Sequence, residues 1–258
     1  MSVPLFPEKI GRPGVLSPQR MVEFRRAHGA LRGVAPTSDA VVSLYSGVMR
    51  RLSWRHRLSR VRGFAGDLYV VRRSPRRVGV IGNVGIGGPA IVNLAEELIA
   101  WGTERIVALS LAGGLSTELP PGSVVVCDRA IRDEGTSHHY LAPARDVRAA
   151  DDLVALLSRG LGARGVASYV GATWSTDAAY RETRLEIEAL GSEGVLTVDM
   201  ESAGLFAAAR VRGARAASVL VVGDRYGDEG WIAPADMADL HGRMRMVLEA
   251  IIASLAAT

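Results

Sequence analysis

The sequence predicts an α/β protein with a single domain, in which a central mixed, largely parallel sheet is flanked by helices. Segments rich in valine and isoleucine alternate along the 258 residues with segments of helical spacing, an order typical of strands joined through covering helices. The strand-like segments 78–81 and 219–222 are continuously apolar, which indicates burial on both faces of a sheet. No low-complexity linker or internal repeat divides the chain. We therefore predict one domain over residues 38–258, preceded by an N-terminal arm over residues 1–37.

The arm and the first strands follow from prolines and short apolar runs. Residues 1–37 contain five prolines, which favours an extended chain around one short helix at 18–27. A β-type run at 41–45 comes next. The runs 68–72 and 78–81 are separated by a turn sequence and predict a hairpin.

The rest of the chain alternates regularly between helix and strand. Ile91, Leu94 and Leu98 share one face of a helix predicted at 89–101, and Gly102 is typical of its end. Further strands are predicted at 106–111, 123–127, 166–171, 195–198 and 217–222, and further helices at 151–161, 180–190, 202–211 and 234–255.

Composition excludes several classes of protein. Hydrophobic residues make up 48% of the chain and aromatic residues 5%, enough for a sizeable and mostly aliphatic core. No apolar run is long enough to span a bilayer, and the first twenty residues lack the pattern of a secretory signal. We therefore expect no membrane partner and a cytoplasmic location. The single cysteine, Cys127, lies in an apolar strand and is interpreted as a core residue, which fits a reducing compartment.

The net charge of +4 raises the question of a nucleic-acid partner, because arginines are concentrated in residues 50–62. No zinc-finger spacing, RNA-recognition aromatics or helix-turn-helix signature accompanies that run. Lys9 is the only lysine of the chain, so arginine clusters partly reflect composition. We expect no nucleic-acid partner.

An acidic pair marks the point where a predicted strand meets an apolar helix. Asp199 and Glu201 flank Met200, directly before the helix predicted at 202–211. A carboxylate is costly to bury unless hydrogen bonds satisfy it. The diol of a sugar would satisfy Glu201, because one carboxylate can accept two hydroxyl protons. The alternative is that Glu201 only favours the positive end of the helix.

Three further segments accompany this pair in a fixed order: a strand with a glycine-rich turn, a dense polar stretch, and an apolar strand ending in Asp224. With the acidic pair, the four segments resemble the nucleoside phosphorylase family, which includes purine nucleoside phosphorylases, uridine phosphorylases and related nucleosidases. The resemblance covers roughly residues 40–255, and the polar stretch 133–137 is most similar to the uridine phosphorylase branch. The segments are 80–89, 130–140, 197–206 and 219–224.

The resemblance implies the activity and the assembly of the protein. We expect cleavage of the N-glycosidic bond of a small-molecule nucleoside, with purine nucleosides favoured, by phosphorolysis to the free base and ribose 1-phosphate. No cofactor is implied, and inorganic phosphate would be the co-substrate. The family forms homodimers or hexamers built as trimers of dimers, in which a neighbouring subunit contributes to each site. The arginine run 50–62 and the arm are the segments expected near that interface.

Cleavage of such a bond makes the ribose cation-like and leaves negative charge on the base, so a catalyst needs groups for both. The resemblance implies that Glu201 accepts from the 2′- and 3′-hydroxyls while Met200 packs against the ribose, although Met200 also fits a core position. Backbone close to the substrate is expected from the glycine-rich turns, at Ile86, Gly87 and Gly113.

Asp224 is the candidate acid, because partial burial after an apolar strand favours the protonated carboxyl group. In purine-cleaving members an aspartate here reaches N7 of the base, so Asp224 favours purines while the stretch 133–137 favours uridine. The alternative is that Asp224 only caps the following turn.

Trp174 is expected to stack on the base, unless it only packs in the core. Arg181 is a candidate donor to a base carbonyl.

The phosphate site departs from the family pattern. Gly47 and Arg50 match its first element loosely, and Arg60 or Arg62 would be the arginine lent by a neighbour. On the later strand, where the family has an arginine and a serine or threonine, this chain has Ala108 and Leu111. Their loss removes a charge-assisted donor and a hydroxyl group. A hydrolytic nucleosidase is therefore the alternative, and a nucleoside-binding protein without turnover is a second one.

Two other ligand classes fit the sequence poorly. The glycines of 82–88 do not have the spacing of a dinucleotide-binding turn. His138 and His139 are adjacent and lack a companion Cys/His set, so no metal site is predicted.

Overall fold

The computed structural model describes residues 3–49, 58–71, 75–116, 119–227, 230–233 and 236–257. Within these ranges, eleven strands form one mixed sheet. The strands are β1 (Asp39–Ser43), β2 (Leu58–Val61), β3 (Asp67–Val71), β4 (Val78–Gly82), β5 (Arg105–Gly114), β6 (Val124–Asp133), β7 (Asp146–Arg148), β8 (Tyr169–Thr176), β9 (Thr197–Asp199), β10 (Arg215–Gly227) and β11 (Gly230–Ile232).

Helices flank this sheet, so the predicted α/β architecture is confirmed. The helices are α1 (Pro18–Ala27), α2 (Gly88–Trp101), α3 (Asp151–Gly162), α4 (Arg184–Ser192), α5 (Ser202–Arg212) and α6 (Met237–Ala256). No helix in the part of the chain that the structure describes is both long and apolar enough to cross a membrane.

The sheet is more mixed than the predicted, largely parallel one. Strands β5, β10, β6, β8 and β9 pair in a closed ring, and β1, β4, β3 and β2 extend it from β5. The pairs β5–β10, β6–β8 and β8–β9 are parallel, whereas β10–β6 and β5–β9 are antiparallel. A continuous apolar run indicates burial on both faces but not strand direction, so the sequence pattern cannot separate these cases.

Several predicted boundaries move, and three short strands are new. The helix 18–27 and the hairpin of β3 with β4 are confirmed. The strand predicted at 166–171 instead occupies Tyr169–Thr176. The helix predicted at 180–190 begins only at Arg184. Thr183 and Glu186 form a capping box there, which fixes the first turn of α4. Strands β2, β7 and β11 were not predicted because they are only three or four residues long.

Close packing of α2 on α5 positions the ends of two strands. A Cβ atom added to Gly204 of α5 would lie 3.4 Å from the Cα atom of Gly88 at the start of α2. Both helices follow directly on the carboxyl ends of their strands, β4 and β9. The contact therefore brings the turn before α2 next to the turn before α5.

The amino ends of the inner strands are joined by a buried ion pair. Asp39 opens β1 and faces Arg105, which opens the neighbouring strand β5. The Arg105 Nη2 atom lies 2.9 Å from Oδ2 of Asp39, and Arg76 donates to the same oxygen at 2.8 Å. Arg105 also donates to the carbonyl of Leu255 near the end of α6. The pair is therefore hydrogen-bonded on all sides, as a buried ion pair requires.

We expect Arg105→Ala to lower the free energy of unfolding by about 3–5 kcal/mol, because it leaves the buried Asp39 carboxylate undercompensated. Urea denaturation measures this loss. Arg148→Ala is the control, since Arg148 pairs with Asp151 on the surface and should change stability little. Equal, small losses in both variants would contradict a stabilising role for the buried pair.

Candidate active site

A cavity of about 770 Å³ lies where β1, β5, β9 and β10 end, the usual place for ligands in open α/β sheets. Its lining has three sides, and the predicted Ile86 and Gly113 also line it. The β1–β5 side includes Leu44, Tyr45, Ser110 and Leu111; the Glu201 side includes Asp199, Met200 and Glu201; and the Asp224 side includes Glu182, Asp224, Tyr226 and Trp231.

Asp199 holds the Glu201 side together. Its buried carboxylate accepts hydrogen bonds from the Ser175 hydroxyl of β8 at 2.5 Å and from the Ser202 backbone N–H at 2.9 Å. The Ser202 hydroxyl donates to it as well. Ser175 in turn accepts from the Ala203 N–H at 3.0 Å. Burial raises the pKa of Asp199 although these hydrogen bonds oppose the shift. The carboxylate thus joins β8, β9 and the first turn of α5.

Glu201 is a buried carboxylate facing the cavity. It accepts from the Gly87 N–H at 2.7 Å and from the Met200 N–H at 3.3 Å. Gly87 has a φ of 93°, a conformation that favours glycine. Burial and the nearby charge of Asp199 raise the pKa of Glu201 to about 7, while the two N–H groups lower it. Glu201 therefore changes charge near neutral pH.

Asp224 lies on the opposite strand, just beyond an irregularity in β10. The register of β10 against β5 shifts between Val222 and Asp224, and such bulges re-aim the side chains that follow. The indole N–H of Trp231 on β11 donates to Asp224. Trp231 thereby contacts the acid, and it remains largely exposed at the mouth of the cavity.

Glu182 lies in the turn before α4 and lines the Asp224 side of the cavity. The hydroxyl group of Tyr226 donates to its carboxylate. Burial raises the pKa of Glu182, the hydrogen bond from Tyr226 lowers it, and the charges of Asp224 and Glu186 raise it. Burial also raises the pKa of Tyr226 well above its usual value. The Asp224 side is therefore rich in hydrogen-bond acceptors.

The β1–β5 side is mostly apolar. Leu44 and Leu111 line it together with Ser110 and Tyr45. The Tyr45 hydroxyl lies 2.7 Å from Nε2 of His241 on α6. The Nδ1 atom of His241 lies 2.6 Å from the carbonyl of Met237, which it can only approach as a donor. Nε2 is then left to accept from Tyr45 in the neutral ring.

The predicted phosphate residues do not line the cavity within the described ranges. Gly47 lies against His241, where an added Cβ atom would be 2.5 Å from Nε2. Arg60 pairs with Asp67 on the β2–β3 hairpin, and Arg62 is exposed. Arg50 lies outside the described residues. No described residue that lines the cavity carries a cationic side chain.

Two predicted base contacts are not met. Trp174 is buried among Leu115, Val195 and Val198, and its indole N–H donates to Asp133 at 3.0 Å. The indole therefore packs in the core, because both faces of β8 are covered here. Arg181 is exposed and does not line the cavity, whereas the next residue, Glu182, does.

The polar stretch 133–137 packs next to the site, outside the cavity. Glu134 accepts from the Ser137 N–H at 3.0 Å, and buried Arg132 donates to the Ser137 hydroxyl at 2.9 Å. A Cβ atom added to Gly88 would meet the Thr136 hydroxyl at 2.9 Å. The stretch therefore packs against the start of α2 and does not line the cavity. Among the described side chains, no group of three or more His, Cys, Asp or Glu residues could hold a metal ion.

Sequence reasoning missed most of the lining residues, among them Glu182, Tyr226 and Trp231, as well as the pair of Tyr45 with His241. One signal was present: two residues separate Gly227 from Gly230 after an apolar strand, which is typical of a hairpin. That hairpin would have placed Trp231 beside Asp224. The other contacts join residues far apart in sequence and leave no local pattern.

The fold and cavity define an α/β protein with a small-molecule site at the strand ends. The sequence model described as the phosphorylase superfamily matches residues 57–255. The chain belongs to this superfamily, which confirms the resemblance.

Individual relatives agree with this assignment. The chain is 29% identical over 140 residues to a guanosine phosphorylase of Halorubrum lacusprofundi, covering 54% of this chain and 58% of that protein. It is 34% identical over 153 residues to a DeoD-type purine nucleoside phosphorylase of Myxococcus xanthus, covering 58% and 63%. The chain thus spans less than two thirds of either relative. A crystal structure of uridine phosphorylase from Vibrio fischeri has the same fold, with a TM-score of 0.71 at 23% identity over 86% of this chain and 91% of that one.

We expect Glu201→Gln to change how stability depends on pH. The folded wild type binds the Glu201 proton up to a pKa of about 7, against 4.5 for the ordinary side chain. Its stability therefore falls as pH rises between these values, by about 3 kcal/mol at most. Glutamine keeps the shape of the side chain and does not titrate, so the variant should gain stability relative to wild type across this window.

Urea denaturation at several pH values between 4.5 and 7.5 measures this difference. Glu188→Gln on the exposed surface of α4 controls for the loss of a carboxylate. Parallel pH profiles for wild type and Glu201→Gln would contradict the shifted titration.

Proposed function

We propose that this protein cleaves the N-glycosidic bond of a purine nucleoside by phosphorolysis, giving the free base and ribose 1-phosphate. The observation that carries the proposal is the placement of two acids, Glu201 and Asp224, on opposite sides of one cavity. A nucleoside has a sugar and a base that need different partners, and the two sides supply them. The phosphorylase names of the relatives support phosphate as the acceptor.

Glu201 would bind the ribose. Two backbone N–H groups hold its carboxylate in place, and the remaining lone pairs can accept from the 2′- and 3′-hydroxyls. These hydroxyls favour the ionised form, so sugar binding would release a proton from the part of the population that is protonated near pH 7. An ionised carboxylate beside the sugar also stabilises the cation-like ribose as the bond breaks.

Asp224 would act on the base. As the bond between C1′ and the base nitrogen breaks, its electron pair moves into the purine ring. Asp224 would donate a proton or a hydrogen bond to N7, which neutralises the charge that develops there. An oxygen of phosphate would form the new bond to C1′. Met200 also lines the cavity and would contact the sugar.

The phosphate would need cations from outside the described cavity lining. Arg50 is one candidate, and Arg60 or Arg62 of a second copy is another. We therefore propose a homodimer, alone or within a hexamer, whose neighbour completes the site. The Ser110 hydroxyl would add a donor on the β1–β5 side, where it lines the cavity.

Hydrolysis is the second candidate reaction. It is favoured by the apolar β1–β5 side, where Leu111 lines the cavity and no described lining residue is cationic. A water molecule needs no cation, and Tyr45 held by His241 could orient it. The sugar product would then be free ribose.

The acceptor can be identified from base release by a nucleoside panel, measured with and without inorganic phosphate and with the sugar product determined. We expect release to require phosphate and to yield ribose 1-phosphate, with purine nucleosides cleaved faster than pyrimidine ones. Phosphate-independent turnover to free ribose would replace phosphorolysis by hydrolysis. Binding of nucleosides without any base release would leave a binding protein.

The two acids should affect kinetics differently. We expect Asp224→Asn to lower kcat by about 10²–10⁴-fold, the usual contribution of a general acid, with a smaller effect on KM. Glu201→Ala should raise KM for the nucleoside more than Asp224→Asn does, because the ribose loses its hydrogen-bond acceptor. Steady-state kinetics measure both effects, with exposed Asp146→Asn as the control. An unchanged kcat in Asp224→Asn would remove this residue from the mechanism.

A further inference from the structure

The net charge of the chain lies in the arm that precedes the domain. Residues 1–37 contain six of the 31 basic residues and two of the 27 acidic ones, which leaves 25 of each over residues 38–258. A strongly basic arm thus accompanies a body in which charge is balanced. Charge that is concentrated in one segment favours association with an anionic partner.

The arm is held against the body, so its outer surface has a fixed position. Val22 of α1 is buried, and Arg25 donates to both carboxylate oxygens of Glu97 on α2, at 2.5 and 2.7 Å. Nearer the amino end, the Nζ atom of Lys9 lies 2.9 Å from Nδ1 of His139, whose turn packs on α5. The arm therefore lies over the helical layer that α2 and α5 form.

The outer surface of the arm carries cations that the body does not neutralise. Four arginines of the arm are exposed and form no ion pair with any residue that the structure describes: Arg12, Arg20, Arg26 and Arg32. Because the arm is basic overall, these side chains are available to anionic groups outside the molecule.

Apolar side chains are exposed on the same arm. Sixteen large apolar side chains are exposed among the described residues, and six of them lie within residues 3–24, each more than half exposed. On α1, Arg20 and Phe24 are one turn apart and share the face opposite the buried Val22. Exposed apolar side chains concentrated in this way mark a binding surface. The six are Val3, Leu5, Phe6, Val15, Leu16 and Phe24.

Cations combined with exposed apolar side chains fit an anionic lipid surface. Lipid headgroups attract the arginines, and the hydrocarbon boundary accepts the apolar side chains. A nucleic acid offers phosphates but no apolar layer for aliphatic side chains such as Val15 and Leu16. A second copy of the chain offers a body with equal numbers of basic and acidic residues, and therefore no net complement to the arm.

We infer that the outer surface of the arm binds a bilayer that contains anionic lipids and so holds the domain at the membrane surface. The sequence-based expectation of no membrane partner rested on the lack of a spanning run, and binding at the surface needs none. The inference is independent of the proposed reaction, because no described residue of the arm lines the cavity.

Cosedimentation of the full chain with vesicles tests the inference. We expect wild type to bind vesicles of phosphatidylcholine mixed with phosphatidylserine and to stay unbound with phosphatidylcholine alone. Arg20→Gln/Arg26→Gln should bind about twentyfold more weakly or less, because each arginine near an anionic surface contributes roughly fivefold. Arg159→Gln/Arg164→Gln removes two exposed arginines outside the arm and should bind as wild type does.

The apolar side chains have a separate readout. Raised salt screens the attraction of the headgroups but does not weaken apolar insertion, so wild type should keep part of its binding. Leu16→Ser/Phe24→Ser should lose this remainder, whereas Leu185→Ser, an exposed leucine of α4, should keep it.

Three outcomes would overturn the inference. The first is equal binding of wild type to both kinds of vesicle or to neither, which needs no variant to fold. The second is equal binding by wild type and Arg20→Gln/Arg26→Gln to the vesicles with phosphatidylserine. The third is arm-dependent binding of an RNA or DNA duplex, or arm-dependent self-association in light scattering, in place of vesicle binding.

Discussion

The buried carboxylate of Asp199 is the constraint on which the site depends. A negative charge at the end of β9 has to be satisfied, and Ser175 and Ser202 satisfy it from two different elements. These hydrogen bonds fix how α5 leaves the strand and therefore where Glu201 points. Because Ser175 and Ser202 are neutral, their hydrogen bonds stabilise the negative charge of Asp199 but do not cancel it. The same group that shapes the site thus also raises the pKa of Glu201.

The two ends of the inner strands have opposite characters. At their amino ends, Asp39 and Arg105 neutralise each other in a buried pair. At their carboxyl ends, the described lining residues include several acids and no cation. The buried ion pair therefore stabilises the edge of the sheet away from the cavity, and the cavity keeps hydrogen-bond acceptors available to a bound molecule.

The sequence was sufficient for the fold and for placing Glu201 and Asp224 at strand ends, and insufficient for much of the Asp224 side of the cavity. Glu201 and Asp224 follow apolar strands, so their position at strand ends can be inferred locally. Arg181 and Glu182 are adjacent, and nothing in their surroundings indicates which one faces the cavity. That choice depends on Tyr226, which lies 44 residues away. Trp174 was misassigned for a related reason: β8 is covered on both faces, which its own residues do not reveal.

The hairpin of β10 and β11 gives one mechanical consequence. The acid and the aromatic residue at the entrance belong to the same continuous ribbon, since Tyr226 is paired with Trp231 across it. The width of the entrance on this side and the surroundings of Asp224 therefore depend on the position of one hairpin.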